Sequence, residues 1–174
     1  MKIDRLVLKP LDNNCYILSS NGCALIVDPS SSETIIEKYL KDNSLELVGI
    51  LVTHYHFDHV GALSYLINKY KVRVYDYKTL GKQKVFNFKF EVIPTRGHSK
   101  DSVSFYFKDS NDMFVGDFIF MGSIGRMDLE GGNEEEMAYS LRCLKEMNKN
   151  TKLFPGHGMI TTLEREIKEN PYLW

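Results

Sequence analysis

Three of the chain's five histidines fall within six residues, in the run Thr53-His54-Tyr55-His56-Phe57-Asp58-His59. Packing does not account for such a cluster, whereas metal ligation does, because imidazole and carboxylate are the side chains that zinc, iron(II) and manganese accept. His54 and His56 are two residues apart, so in an extended segment both rings project to the same side. Asp58 and His59 follow where the backbone should turn into a helix, which aims two further ligands from another direction. A helical zinc motif would instead place its histidines at i and i+4.

Four ligands cannot fill two coordination shells of four to six positions, so more must come from elsewhere. Glu91-Val92-Ile93-Pro94-Thr95-Arg96-Gly97 leads into His98, Met113-Phe114-Val115-Gly116 into Asp117, and Lys152-Leu153-Phe154-Pro155-Gly156 into His157. Each runs from an apolar strand through glycine to a ligand, and Leu51-Val52-Thr53 leads into His54 in the same way without the glycine. Alone, His98 or His157 would read as a loop histidine and Asp117 as a turn cap. Together with the cluster, all five histidines and two aspartates fit one scheme with no histidine left over.

The elements that would carry these residues are short. Ile3 to Leu8, Cys15 to Leu18 and Cys23 to Val27 read as antiparallel strands, with Asn21-Gly22 as the turn between the last two. This hairpin could bring Cys15 and Cys23 face to face. Ser32 to Lys41 fits an N-capped amphipathic helix, Leu47 to Val52 a strand, and Leu63 to Tyr70 a second helix. Val72 to Tyr75, Val85 to Phe88, Phe90 to Ile93, Met113 to Val115 and Lys152 to Phe154 are strand candidates. Ser102 to Phe107 alternates as a half-buried strand. Glu134 to Met147 places Met137, Leu141 and Leu144 on one helical face, and a last helix starts near Thr161 or Thr162. Strands in two batches, each followed by helices, suggest two sheets face to face with helices outside, an α/β or α+β fold.

With 174 residues, 43% of them hydrophobic, the chain is expected to form one domain over 1–174, as a monomer or small homo-oligomer. A net charge of -1 without a basic run points to neither nucleic acid nor a membrane surface as partner. Neither a signal-peptide core nor an apolar run near the ~18 residues of a spanning helix is present, which sets the expectation of a cytoplasmic protein. Cys15, Cys23 and Cys143 are too few and too irregular for a disulfide framework or a thiolate zinc site.

The pattern H-x-H-x-D-H followed by a His, an Asp and a His resembles the metallo-β-lactamase fold superfamily. Asn14-Cys15-Tyr16-Ile17-Leu18 and Val27-Asp28-Pro29 look like its opening motifs. Gly122-Ser123-Ile124-Gly125-Arg126-Met127-Asp128, Pro155-Gly156-His157-Gly158, Thr161-Thr162 and Glu169-Asn170-Pro171 are similar to the small glyoxalase II-like hydrolases. Departures are Ser99-Lys100-Asp101 in place of threonine-x-glycine, Met127 in place of threonine, and no glycine after Thr162. The resemblance implies an αβ/βα sandwich, two mixed sheets packed face to face with helices on the outer faces. It implies two divalent metal ions, with zinc the default and iron or manganese the other options. His54, His56 and His98 would hold the first ion, Asp58, His59 and His157 the second, and Asp117 would bridge them. Asp28 would orient a ligand by a hydrogen bond, the alternative being a turn residue before Pro29.

In sites of this kind two cations about 3.5–4 Å apart share a water whose pKa falls toward 7, which supplies hydroxide at neutral pH. Asp58 and Asp117 would be the catalytic carboxylates, with Asp58 holding metal and nucleophile rather than acting as the primary acid. The implied substrate is a small thioester such as S-lactoylglutathione or another acyl-thiol. Only 17 residues follow His157, fewer than the helical region that binds glutathione in full-length glyoxalase II enzymes, so a reduced or different thiol surface is expected. Arg126 could receive a substrate carboxylate through its fork of donors, or lie in a surface salt bridge, and Lys100 has the same two readings. The alternatives are a persulfide dioxygenase with one iron on His54, His98 and Asp117, and a metal-binding module without turnover.

Overall fold

The computed structural model describes residues 1–174. One sheet joins β1 (Lys2–Leu8), β2 (Asn13–Ser20), β3 (Cys23–Val27), β4 (Glu46–Leu51) and β5 (Val74–Tyr75) in that order. Asn21 and Gly22 both take positive φ (49° and 79°), as a tight two-residue hairpin turn requires, and they pair Ser20 with Cys23. That register sets Cys15 opposite Leu6 of β1, not opposite Cys23, and all three cysteines are free.

The second sheet has the order β13 (Thr161–Thr162), β12 (Lys152–Pro155), β9 (Asp112–Gly116), β8 (Val103–Phe107), β7 (Phe88–Pro94) and β6 (Gly81–Val85). Val85 to Phe88 is not a strand of its own. Phe86 and Asn87 form the turn of the β6–β7 hairpin, with Phe86 exposed at φ 49°. The strand before that turn, Gly-Lys-Gln-Lys-Val, lies at the sheet edge, where lysines hinder pairing with another chain, and its polarity hides it from a hydrophobic pattern. Ser102 to Phe107 is also not half-buried. β8 is covered on both faces, and Ser104 meets its need for a partner through Thr95 Oγ1 at 2.9 Å. A two-residue ladder, β10 (Ile119–Phe120) with β11 (Ser123–Ile124), stands apart.

Three apolar layers hold the sandwich. Tyr16, Leu25, Val27 and Leu51 of the first sheet meet Phe90, Val92, Phe105, Phe114 and Phe154 of the second. The first sheet's outer face, through Ile17, Ile26 and Ile50, packs on Ile36 and Leu40 of α1 (Glu33–Asp42) and Leu66 of α3 (Leu63–Tyr70). Tyr106, Met113, Val115 and Leu153 on the other outer face pack on Met137, Leu141 and Leu144 of α4 (Glu134–Lys145) and Leu163 of α5 (Leu163–Glu169). Burying one such side chain contributes about 1.5–3 kcal/mol, so these layers outweigh any single polar contact. Ser32 precedes α1 in a left-handed conformation and makes no side-chain cap, whereas Asn133 and Thr162 cap α4 and α5 through Glu136 and Arg165.

β3 and β4 run parallel, as do β9 and β12, and β7, two antiparallel steps from β9, runs the same way as β9. The C-terminal ends of β9, β12 and β7 therefore share one edge of their sheet, and those of β3 and β4 share one edge of the other. No helix is long and apolar enough to cross a membrane.

Candidate metal centre

At that edge the structure brings together His54, His56, Asp58, His59, His98, Asp117 and His157. Their ligand atoms form overlapping groups, within each of which all atoms lie inside 4.8 Å: His54 with His56 and His98, His54 with His59 and Asp117, and Asp58 with His59 and His157. Asp58 and His59 sit on their own short helix α2 (Phe57–Val60), ahead of α3, and His56 precedes it in an extended conformation. The His54 and His56 rings lie 4.6 Å apart, on one side of the segment. His98 follows β7, Asp117 follows β9 and His157 follows β12, so the groups of His56 with His98 and of His59 with His157 each draw on both sheets.

Asp117 lies between the two outer groups. Its Oδ1 is 3.4 Å from His59 Nε2, and its Oδ2 is 3.8 Å from His98 Nε2 and 3.7 Å from His157 Nε2. Two glycines make this approach possible. A β-carbon on Gly116, whose φ is 51°, would fall 2.6 Å from Thr53 Cβ, and one on Gly156 would fall 2.5 Å from His59 Cε1 and against Asp117 Oδ1.

Neighbouring groups fix which nitrogen faces inward. The Thr53 hydroxyl donates to the Asp28 carboxylate at 2.7 Å, so its oxygen is left to accept from His54 Nδ1 at 3.0 Å. Asp28 Oδ2 also lies 3.0 Å from His59 Nδ1, and the Arg126 carbonyl 2.7 Å from His98 Nδ1. All three rings therefore turn Nε2 toward the centre. There His54 Nε2, His59 Nε2 and Asp117 Oδ1 are buried and make no hydrogen bond. Buried polar atoms without partners are rare, and inward imidazole nitrogens beside a carboxylate are what a divalent cation satisfies. The donor set fits a metal.

Without a cation, His54 and His56 are held neutral and both aspartates ionised, while His59, against its burial, is held protonated by Asp117 and Asp28. Burial and then the neighbouring His59 hold His54 well below its ordinary pKa of 6.5, and burial lowers His56 too. Burial opposes charge on Asp117, but the facing His59 holds its carboxyl far below the usual carboxylate range. Burial likewise opposes charge on Asp58, and the Asn13 amide, His59 and a backbone hydrogen bond together outweigh it.

Asp28 occupies a positive φ of 50° and accepts from both the Thr53 amide and the Thr53 hydroxyl, beside His59 Nδ1. Arg126 lies beside the site, but its exposed guanidinium forms a two-pronged pair with Asp128 at 2.7 and 2.6 Å. Lys100 is exposed, two residues beyond His98. Three contributors escape a reading of the sequence: Thr53, the carbonyl of Arg126, and Asn13. Only Thr53 leaves a trace, as a hydroxyl just past an apolar strand and one residue before the histidine cluster.

The family model for the metallo-beta-lactamase superfamily matches residues 8–84 and 78–157. A probable metallo-hydrolase of Bacillus subtilis is 32% identical over 99% of this chain and 98% of its own. A hydroxyacylglutathione hydrolase of Pelagibacter ubique is 32% identical over 84% of this chain and 66% of its own, so the chain spans slightly less than two thirds of that relative. Among solved structures, that of TTHA1623 in a di-iron-bound form is 29% identical, with a TM-score of 0.89 over 98% of this chain and 100% of that one.

Proposed function

We propose that this chain, which belongs to the metallo-beta-lactamase superfamily, hydrolyses a small thioester, S-lactoylglutathione or another acyl-thiol, at a two-cation centre. The observation that carries the reading is the position of Asp117 between the two histidine groups, with Oδ2 3.8 Å from His98 Nε2 of one and 3.7 Å from His157 Nε2 of the other, where a carboxylate can bridge two cations. His54, His56 and His98 would hold one cation, Asp58, His59 and His157 the other. Zinc suits this donor set, as do iron(II) and manganese.

A bound cation pair would lower the pKa of a shared water from 15.7 toward about 7 and polarise the scissile carbonyl. The chain's own contribution is orientation. Asp28, Thr53 and the Arg126 carbonyl each hold one imidazole by Nδ1, so the rings need little reorganisation when substrate arrives. Asp58, with Asn13 donating to Oδ2, keeps its remaining lone pairs for the cation and the attacking water. A thiolate leaves without much protonation, so the absence of a dedicated general acid near the centre is no obstacle. Arg126, at the rim, is the candidate partner for a carboxylate on the thiol, provided that it exchanges its contact with Asp128.

Metal content of the purified protein, measured beside a panel of acyl-thiols, tests the reading. Two metals per chain with thioester hydrolysis are expected. One iron, with oxygen uptake on glutathione persulfide, would replace the reading with a dioxygenase.

A further inference from the structure

The two ligand groups are supported differently. His54, His59 and His98 each have an acceptor behind Nδ1, but the exposed half of the second group, Asp58 with His157, has neither Asp28 nor Thr53 behind it. It has Asn13 instead. Asn13 begins β2 and is 3% exposed. Its Nδ2 donates to Asp58 Oδ2 at 2.9 Å and lies 3.2 Å from His157 Nε2. Its main chain forms an isolated antiparallel bridge with His157. The next residue completes the attachment: the Asn14 amide donates to Gly156 O at 2.7 Å, and its side chain to Pro155 O at 2.9 Å and Gly158 O at 3.0 Å. One dipeptide therefore holds the His157 loop by its backbone and the Asp58 carboxylate by a side chain, across 144 positions of sequence.

We infer that Asn13 is a positioning residue for the second of the two cations and has no part in holding the first. The inference rests on the two-cation reading above. An ionised carboxylate offers about four lone-pair sites and turns freely about its own bond. An amide hydrogen bond on Oδ2 fixes that rotation and leaves the other sites for metal. His157, 30% exposed in its side chain and carried on a loop, gains its placement relative to Asp58 from the same residue. Partners of this type typically change metal affinity 10–100-fold when removed.

Zinc alone, titrated into metal-free protein against a competing chelator, provides the test, with Asn13→Ala and Asn13→Ser beside the unaltered chain. The unaltered chain is expected to take up two zinc ions. Both variants should leave one uptake step unchanged and weaken the other about 10–100-fold, the serine less because its hydroxyl can still donate. Thioesterase kcat should recover when zinc is raised, with KM unaltered. Two equal uptake curves for variant and unaltered chain would overturn the role of Asn13 and leave the two-cation reading standing. Loss of both steps together would overturn it as well, since a purely structural residue behaves that way. A single zinc in the unaltered chain would overturn the two-cation reading itself.

Discussion

Gly156→Ala is a severe perturbation for one added carbon. That carbon would sit 2.5 Å from His59 Cε1 and against Asp117 Oδ1, whereas carbon atoms pack best at about 3.5–4.0 Å. Something must move by about 1 Å. His59 cannot yield easily, because Asp28 holds its other nitrogen at 3.0 Å, and the Gly156 amide is itself bonded to Gly116 O at 2.9 Å. The displacement therefore falls on Asp117 or on the His157 loop. Overpacking of this kind costs about 1–3 kcal/mol, which is roughly 2–12 °C in Tm for a chain of this size. A misplacement of about 1 Å in a catalytic constellation costs on the order of 100-fold in rate. The assay is thioester turnover with metal content per chain and the Tm of metal-free protein, run beside Gly158→Ala. At Gly158 nothing lies within 4 Å of an added carbon, and only the φ of 74° is strained, so that variant should lose stability while keeping its metals. Gly156→Ala with full metal content and unaltered turnover would refute the close approach on which the geometry depends.

Asp28→Asn replaces the acceptor shared by Thr53 and His59 with a group that also donates, and metal affinity should fall about 10–100-fold in a chelator competition; unchanged affinity would remove Asp28 from the site. In metal-free protein, burial works against a charged His59, but Asp117 and Asp28 overcome it and raise its pKa from 6.5 to about 10. A raised histidine pKa stabilises the fold fully below 6.5 and loses that contribution as pH climbs through 10. Chelator-treated protein should therefore show a falling Tm between pH 6.5 and 10, and a flat or rising profile would contradict the assignment. Arg126→Ala should raise KM for carboxylate-bearing thiols while leaving kcat and Tm nearly unchanged, because its pair with Asp128 is exposed to solvent and adds little to stability; equal kinetics on charged and uncharged thiols would exclude a substrate role.

The seven clustered residues were legible because histidine is scarce in this chain and every copy lies at one edge of the fold. The Asn21-Gly22 turn was legible because few residue pairs tolerate two successive positive φ values. Other features depend on what lies across the fold, which no local pattern reports. Gly81 to Val85 is a strand because Phe88 to Pro94 pairs with it, although its own residues favour solvent. Ser104 is buried in a strand covered on both faces, where Thr95 bonds it. Asn13 looks like one more turn residue after Leu11 and Asp12, and its role exists only once His157 has been folded against it.

The ligand groups straddle the two sheets, with His56 facing His98 and His59 facing His157, and this has a consequence for the life of the chain. A chain with only one sheet assembled would own only part of this set and would hold a cation loosely. On the two-cation reading, tight uptake would begin only when the two layers have closed, because metal binding then adds its free energy to folding. Loading would thus serve as an inspection step, with chelating competitors stripping unfinished chains and leaving finished ones charged.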